Sequence, residues 1–120
     1  MTTKINFKSK FDKFHEQWSP KVIAEMNDYQ FKLVKIENDF IWHQHHDTDE
    51  VFIVIEGKFS IEFENETIEI NEGEMIVVPK GKKHRPFAKK EAKIMLVEPQ
   101  GVVNTGKTES ELTAPNDEWI

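Results

Sequence analysis

At 120 residues the chain has room for one hydrophobic core and not two, and its net charge of −6 speaks against a nucleic-acid-binding face. It contains no cysteine, which removes a disulfide framework, a thiol nucleophile and a sulfur ligand from consideration. No apolar run reaches membrane-spanning length, and Met1-Thr2-Thr3-Lys4 lacks the apolar segment of a signal peptide, so the expectation is a cytoplasmic protein with neither nucleic acid nor membrane as partner.

The first element in chain order is helical. Phe7, Phe11, Phe14 and Trp18 recur at spacings that form one apolar stripe, which predicts a helix over about 5–18. Ser19-Pro20 ends it, because the residue before a proline is driven from helical geometry. Residues 21–26 and 29–36 then read as strands around Asn27-Asp28. Further strands are expected at 40–45, 50–56, 58–64, 66–70, 74–79, 84–89 and 92–98, about nine in all, the pattern of an all-β sandwich or barrel. Residues 1–120 thus form a single domain: a helix, a barrel core over about 21–98, and a tail over 99–120 rich in Gly, Asn, Thr and Ser.

Alternation assigns faces to these strands. With Glu50 inward, Phe52 and Val54 also face the interior, and Phe59, Ile61 and Phe63 form a second inner face. The runs Met75–Val78 and Ile94–Val97 are apolar on both sides and must be covered on both. The helix covers part of the outer surface. A second copy covering the rest would make a homodimer, with Val51 or Ile53 at or beside the interface.

Chemistry enters with His43-Gln44-His45, Glu50 and a distant His84. Successive strand residues point to opposite faces, so His43 and His45 share one face. His46-Asp47-Thr48-Asp49 is polar enough to turn, and an antiparallel return brings Glu50 back beside the histidine pair. Three imidazoles and a carboxylate are too costly to bury unpaired. A divalent transition metal (iron, manganese, nickel, zinc or copper) would satisfy all four and keep positions open for a ligand. HxH alone would be ordinary surface sequence; the added Glu and His raise it to a metal site.

These residues resemble the cupin family. His43-x-His45, four residues, Glu50, six residues, Gly57 is similar to the first cupin motif, and Gly73, five residues, Pro79-x-Gly81, two residues, His84 to the second. The resemblance implies a single-domain antiparallel β-barrel of the double-stranded β-helix or jelly-roll type. It also implies a metal in the barrel mouth held by His43, His45, Glu50 and His84. The chain is similar to small members described as mannose-6-phosphate isomerase-like, a likeness of the barrel. Asn38-Asp39 and Ala88 depart from the motifs where glycine and asparagine usually stand, and neither position is a ligand.

A metal-dependent enzyme acting on a small polar or anionic metabolite is the leading reading, with isomerase- or dioxygenase-type chemistry and Glu50 moving a proton. A non-catalytic binding or sensing module is the alternative, and a storage-type cupin ranks third. Phe52, Phe59, Phe63 and Met75 are ordinary core or the wall of a substrate pocket. Arg85, in a cluster with Lys80, Lys82 and Lys83, is a solvated turn residue or a group that draws an anion toward the metal. His46 and His15 are expected at the surface.

Overall fold

The computed structural model describes residues 2–120; Met1, part of the expected domain, lies outside the described residues. Its elements are α1 (Phe7–Phe11), β1 (Lys21–Met26), β2 (Tyr29–Asp39), β3 (Glu50–Glu56), β4 (Lys58–Glu62), β5 (Thr67–Asn71), β6 (Met75–Val78) and β7 (Arg85–Pro99). All strand pairs are antiparallel. The long β7 organises them: β2 lies along it from Tyr29↔Pro99 to Asp39↔Phe87. On its other side, its first residues pair with β4 and its later ones with β3. One strand is thereby shared between two halves of a rolled sheet, and the inward side chains of both halves meet. No described helix is long and apolar enough to cross a membrane.

Alternation decides which residues meet. Inward positions Val34, Ile36, Phe52, Val54, Phe59, Ile61, Ile94 and Leu96 form the barrel core. The opposite parity is apolar too: Leu33 and Met95 join Phe11, Phe14 and Ile23 in a second cluster, against which Ile53, Ile55 and Val97 pack. The N-terminal segment therefore covers much of the outer face. It leaves Met75 and Val77 exposed, at 56% and 50%.

Three elements differ from the sequence expectation. The helix stops at Phe11 instead of running to Trp18: Asn6 caps its start and Asp12 closes it. Phe14 and Trp18 are still buried, but on a non-helical chain whose Trp18 amide donates to the Lys35 carbonyl at 2.8 Å. The apolar spacing recorded burial correctly and the backbone that delivers it wrongly. Residues 40–45 form no regular strand. β2 bulges between Ile36 and Asn38, Asn38 takes φ +67°, and beyond it one bridge, His43↔His84, remains. Finally, the expected strands 84–89 and 92–98 are one, because Lys89-Lys90-Glu91 continues extended as exposed chain instead of turning.

Candidate metal centre

The irregular stretch after β2 places the first two histidines. Phe40 N–H donates to the Pro86 carbonyl at 2.9 Å, and His43 and His84 exchange backbone hydrogen bonds of 3.0 and 2.9 Å. The Gly81 amide then donates to the His45 carbonyl at 2.8 Å. His43 and His45 are thus docked against the segment that carries His84. Glu50 opens β3, one residue before the Val51↔Val97 pair with β7, which turns its carboxyl inward beside them.

One atom from each of His43, His45, Glu50 and His84 lies within 4.8 Å of the others. Ligand atoms about 2.0–2.2 Å from a shared metal sit about 3 Å apart when adjacent and about 4.3 Å when opposite. A shift of a few tenths of an ångström would close this set on one ion. All four residues are buried, none more than 7% exposed.

The nitrogens fit such an ion. His43 Nδ1 lies 3.0 Å from the Ile41 carbonyl and His84 Nδ1 2.8 Å from the Lys82 carbonyl. A carbonyl only accepts, so in each ring Nδ1 is the protonated nitrogen and Nε2 holds a lone pair. Carbonyls of this kind fix the orientation of metal-binding imidazoles. Nε2 of His84 is buried without a hydrogen-bond partner, and Nε2 of His45, also without a hydrogen bond, has the Glu50 carboxylate 3.3 Å away, an arrangement proteins rarely leave unexplained. Burial, then the neighbouring His84, lowers the His43 pKa to about 3. Burial lowers His84 to about 4 and moves His45 down as well. The rings are neutral near pH 7, the form that coordinates metals.

Beneath the four lies a pair that sequence reading passed over. Lys32 on β2 and Glu98 on β7 are buried, with Lys32 Nζ 2.8 Å from Glu98 Oε2. The Glu98 carboxyl lies close enough to that of Glu50 for the two to interact. Burial pushes the Glu50 carboxyl up. Glu98 is held well above the usual carboxylate range by burial and next by the Glu50 charge. Two adjacent buried carboxyls favour one shared negative charge, and Lys32 balances it. The signal was available: Lys32 has the inward parity of Val34 and Ile36, and Glu98 that of Ile94 and Leu96.

The other residues singled out from sequence separate. Phe52 and Phe63 approach the His84 ring, with centroids 6.4 and 6.3 Å away, while Phe59 lies deeper, 5.6 Å from Phe52. Met75 is on the exposed outer side of β6 and does not join the centre. Arg85 points away from it: its guanidinium holds Glu62 at 2.6 Å and Asp39 at 3.3 Å. His15 and His46 are exposed.

The tail packs against the segment that carries His43 and His45. Asn104 Nδ2 donates to the carbonyls of Trp18 and Leu112, and its Oδ1 accepts from Ala114 N–H. At Gly106, with φ +63°, a Cβ would collide with the Gln44 carbonyl oxygen, so glycine lets the tail pass this close to the His43–His45 segment. Lys21 with Glu118 and Gln30 with Asp117 hold the remainder along β1 and β2.

Residues 31–98 match the family model for the cupin domain. A cupin-2 domain containing protein from Shewanella frigidimarina is 61% identical, with TM-score 0.78 over 79% of this chain and 93% of that one. A protein from Neisseria meningitidis is 35% identical, with TM-score 0.75 over 81% and 99%. The uncharacterized protein YdbB of Bacillus subtilis is 39% identical over 64 residues, 52% of this chain. The match spans 57% of that curated relative's length.

Proposed function

The chain belongs to the cupin domain family, and from that premise we propose that it is a metal-dependent enzyme acting on a small polar or anionic metabolite. The observation that carries this reading is the convergence of four buried ligand-type atoms, with His84 Nε2 lacking a hydrogen-bond partner and His45 Nε2 facing only the Glu50 carboxylate at 3.3 Å. A buried imidazole lone pair with no donor to meet it, such as that of His84 Nε2, contributes nothing to packing. His43, His45, Glu50 and His84 would hold the ion, which when bound supplies a Lewis acid for a carboxylate, enolate or hydroxy-ketone.

The chain's own residues supply the rest. The Ile41 and Lys82 carbonyls keep two imidazoles in register. Glu98 and Lys32 hold the Glu50 carboxyl from behind, and Glu50 is the group placed to take or return a proton beside the ligand. This supports proton-transfer isomerisation and oxygenase chemistry alike, and the identity of the metal separates them. We further propose a homodimer that covers the exposed Met75 and Val77 of β6, which light scattering would show as twice the 14.1 kDa chain mass.

The test is elemental analysis of untagged protein, followed by a turnover screen with and without oxygen. One ion per chain, lost together with turnover in His45→Ala and His84→Ala, supports the enzyme. Equal turnover by wild type and both variants overturns it. Ligand-induced thermal stabilisation of metal-loaded wild type without turnover makes the protein a binding module instead.

A further inference from the structure

His43 and Glu50 border a cavity of about 40 Å³ within the barrel. Its walls include Trp18, Val34, Ile36, Phe52, Ile94 and Leu96. Besides the two candidate ligands, its one polar wall residue is Asn104, whose amide is already engaged by Trp18, Leu112 and Ala114. The nearby cations are engaged or outside. Lys32 is bound by Glu98 and Arg85 by Glu62 and Asp39, while Lys80, Lys82 and Lys83 are exposed and do not line this space.

We infer that the ligand of this centre is a short aliphatic monocarboxylate or its enolisable keto counterpart: one oxygen group on the metal, one short apolar tail in the cavity. The inference rests on the metal-centre reading above. A sugar hydroxyl placed against these walls would lose its water hydrogen bonds and gain none. A phosphate carried on the tail would meet no free cation in the cavity. A buried water needs about 10–15 Å³ of such space, so the cavity takes a tail of about three or four heavy atoms. Within that length each methylene leaves water for a dry wall, which tightens binding about fourfold.

The experiment is calorimetric titration of the full-length, Ni²⁺-loaded protein with acetate, propanoate, butanoate, pentanoate and octanoate, and with glycerate and 3-phosphoglycerate. Dissociation constants should fall about fourfold per methylene up to butanoate or pentanoate, then rise at octanoate. Glycerate should bind at least about tenfold more weakly than butanoate. Val34→Phe, which fills the cavity, should abolish the chain-length gain with nickel still bound. Ile36→Ala, which enlarges it, should move the optimum to a longer chain, and stands as the independent variant if Val34→Phe does not fold. Affinity flat along the series, or tighter for glycerate or phosphoglycerate with nickel bound, overturns the inference while the metal centre stands. Nickel below about one-tenth per chain overturns the metal centre and the inference together.

Discussion

Along three strands the inward side chains change character within a few residues. β2 presents Gln30 and Lys32, then Val34 and Ile36; β3 presents Glu50, then Phe52 and Val54; β7 presents Ile94 and Leu96, then Glu98. Both regions are buried, yet they are satisfied differently. The buried side-chain atoms without a partner among the described residues are Gln30 Oε1, His45 Nε2, His84 Nε2 and Glu98 Oε1, all at the polar end. The apolar end has none to leave unmet. Stability is concentrated at one end of the barrel, and the other end buries polar groups at a cost.

The widest separation between the ends should come from truncating one residue in each. Phe59, 2% exposed, sits in the apolar end, and Phe59→Ala should lower the stability of the metal-free protein by about 3–5 kcal/mol in urea denaturation. His84→Ala removes a buried nitrogen that has no partner along with the Nδ1 bond to the Lys82 carbonyl. It should cost the metal-free protein less than Phe59→Ala does, about 1–3 kcal/mol, while weakening metal binding at least about 100-fold. Equal destabilisation by the two would break the comparison.

A second separation lies inside the polar end. Lys32→Met leaves Glu98 and Glu50 without their balancing cation, and breaking a buried pair on one side costs about 3–5 kcal/mol. Replacing both partners, as Lys32→Met with Glu98→Leu, should recover most of that loss. A double variant as unstable as the single one would show that the pair does more than neutralise itself.

The pH dependence sharpens the same contrast. His43 and His84 titrate in the folded protein at about 3 and about 4, against an ordinary value near 6.5. Between those limits the unfolded chain binds protons that the folded one refuses. Stability of the metal-free protein should therefore fall as pH drops from about 6.5 toward 4 and 3. Glu50 and Glu98 are shifted upward and work in the opposite direction: they add stability that is lost as pH rises through their folded values. The difference between wild type and His43→Asn isolates the histidine contribution and should grow steadily below about pH 6.5. A difference independent of pH would mean that His43 is not held neutral.

How legible these regions were from sequence follows from how local their causes are. The inward parity of β3 and β4 was readable because Phe52, Val54, Phe59 and Ile61 alternate with more exposed neighbours. His43, His45 and Glu50 were readable because HxH, a short turn and a strand-opening Glu fix their own spacing, whereas the distant His84 joined them through its resemblance to the second cupin motif. The helix was overextended because Phe14 and Trp18 satisfy a helical period through an extended chain that the Lys35 carbonyl captures. That partner lies far along the chain, and no local pattern names it. Lys32 and Glu98 were missed for a related reason: each looks like an exposed charge until the β2–β7 register brings the two strands together. The tail's grip through Asn104 is tertiary throughout.

The smallest effect expected belongs to Arg85, and it tests whether charge near His84 in sequence means charge at the centre. Its neighbour in the chain is a candidate ligand, but β7 turns successive side chains to opposite faces, so Arg85 points outward where His84 points in. There it binds Glu62 and Asp39, both at least one-third exposed along their side chains, a setting in which ion pairs contribute about 0–1 kcal/mol. Arg85→Ala should therefore lower stability by less than about 1 kcal/mol. Metal content should stay unchanged and butanoate affinity should move less than about twofold, since the cation lies outside the cavity and its field is screened by two carboxylates and by solvent. A loss of tenfold or more in affinity for an anionic ligand would mean that the guanidinium leaves its partners to reach the mouth of the barrel. The boundary between polar and apolar ends would then have to be redrawn to include the outer face of β7.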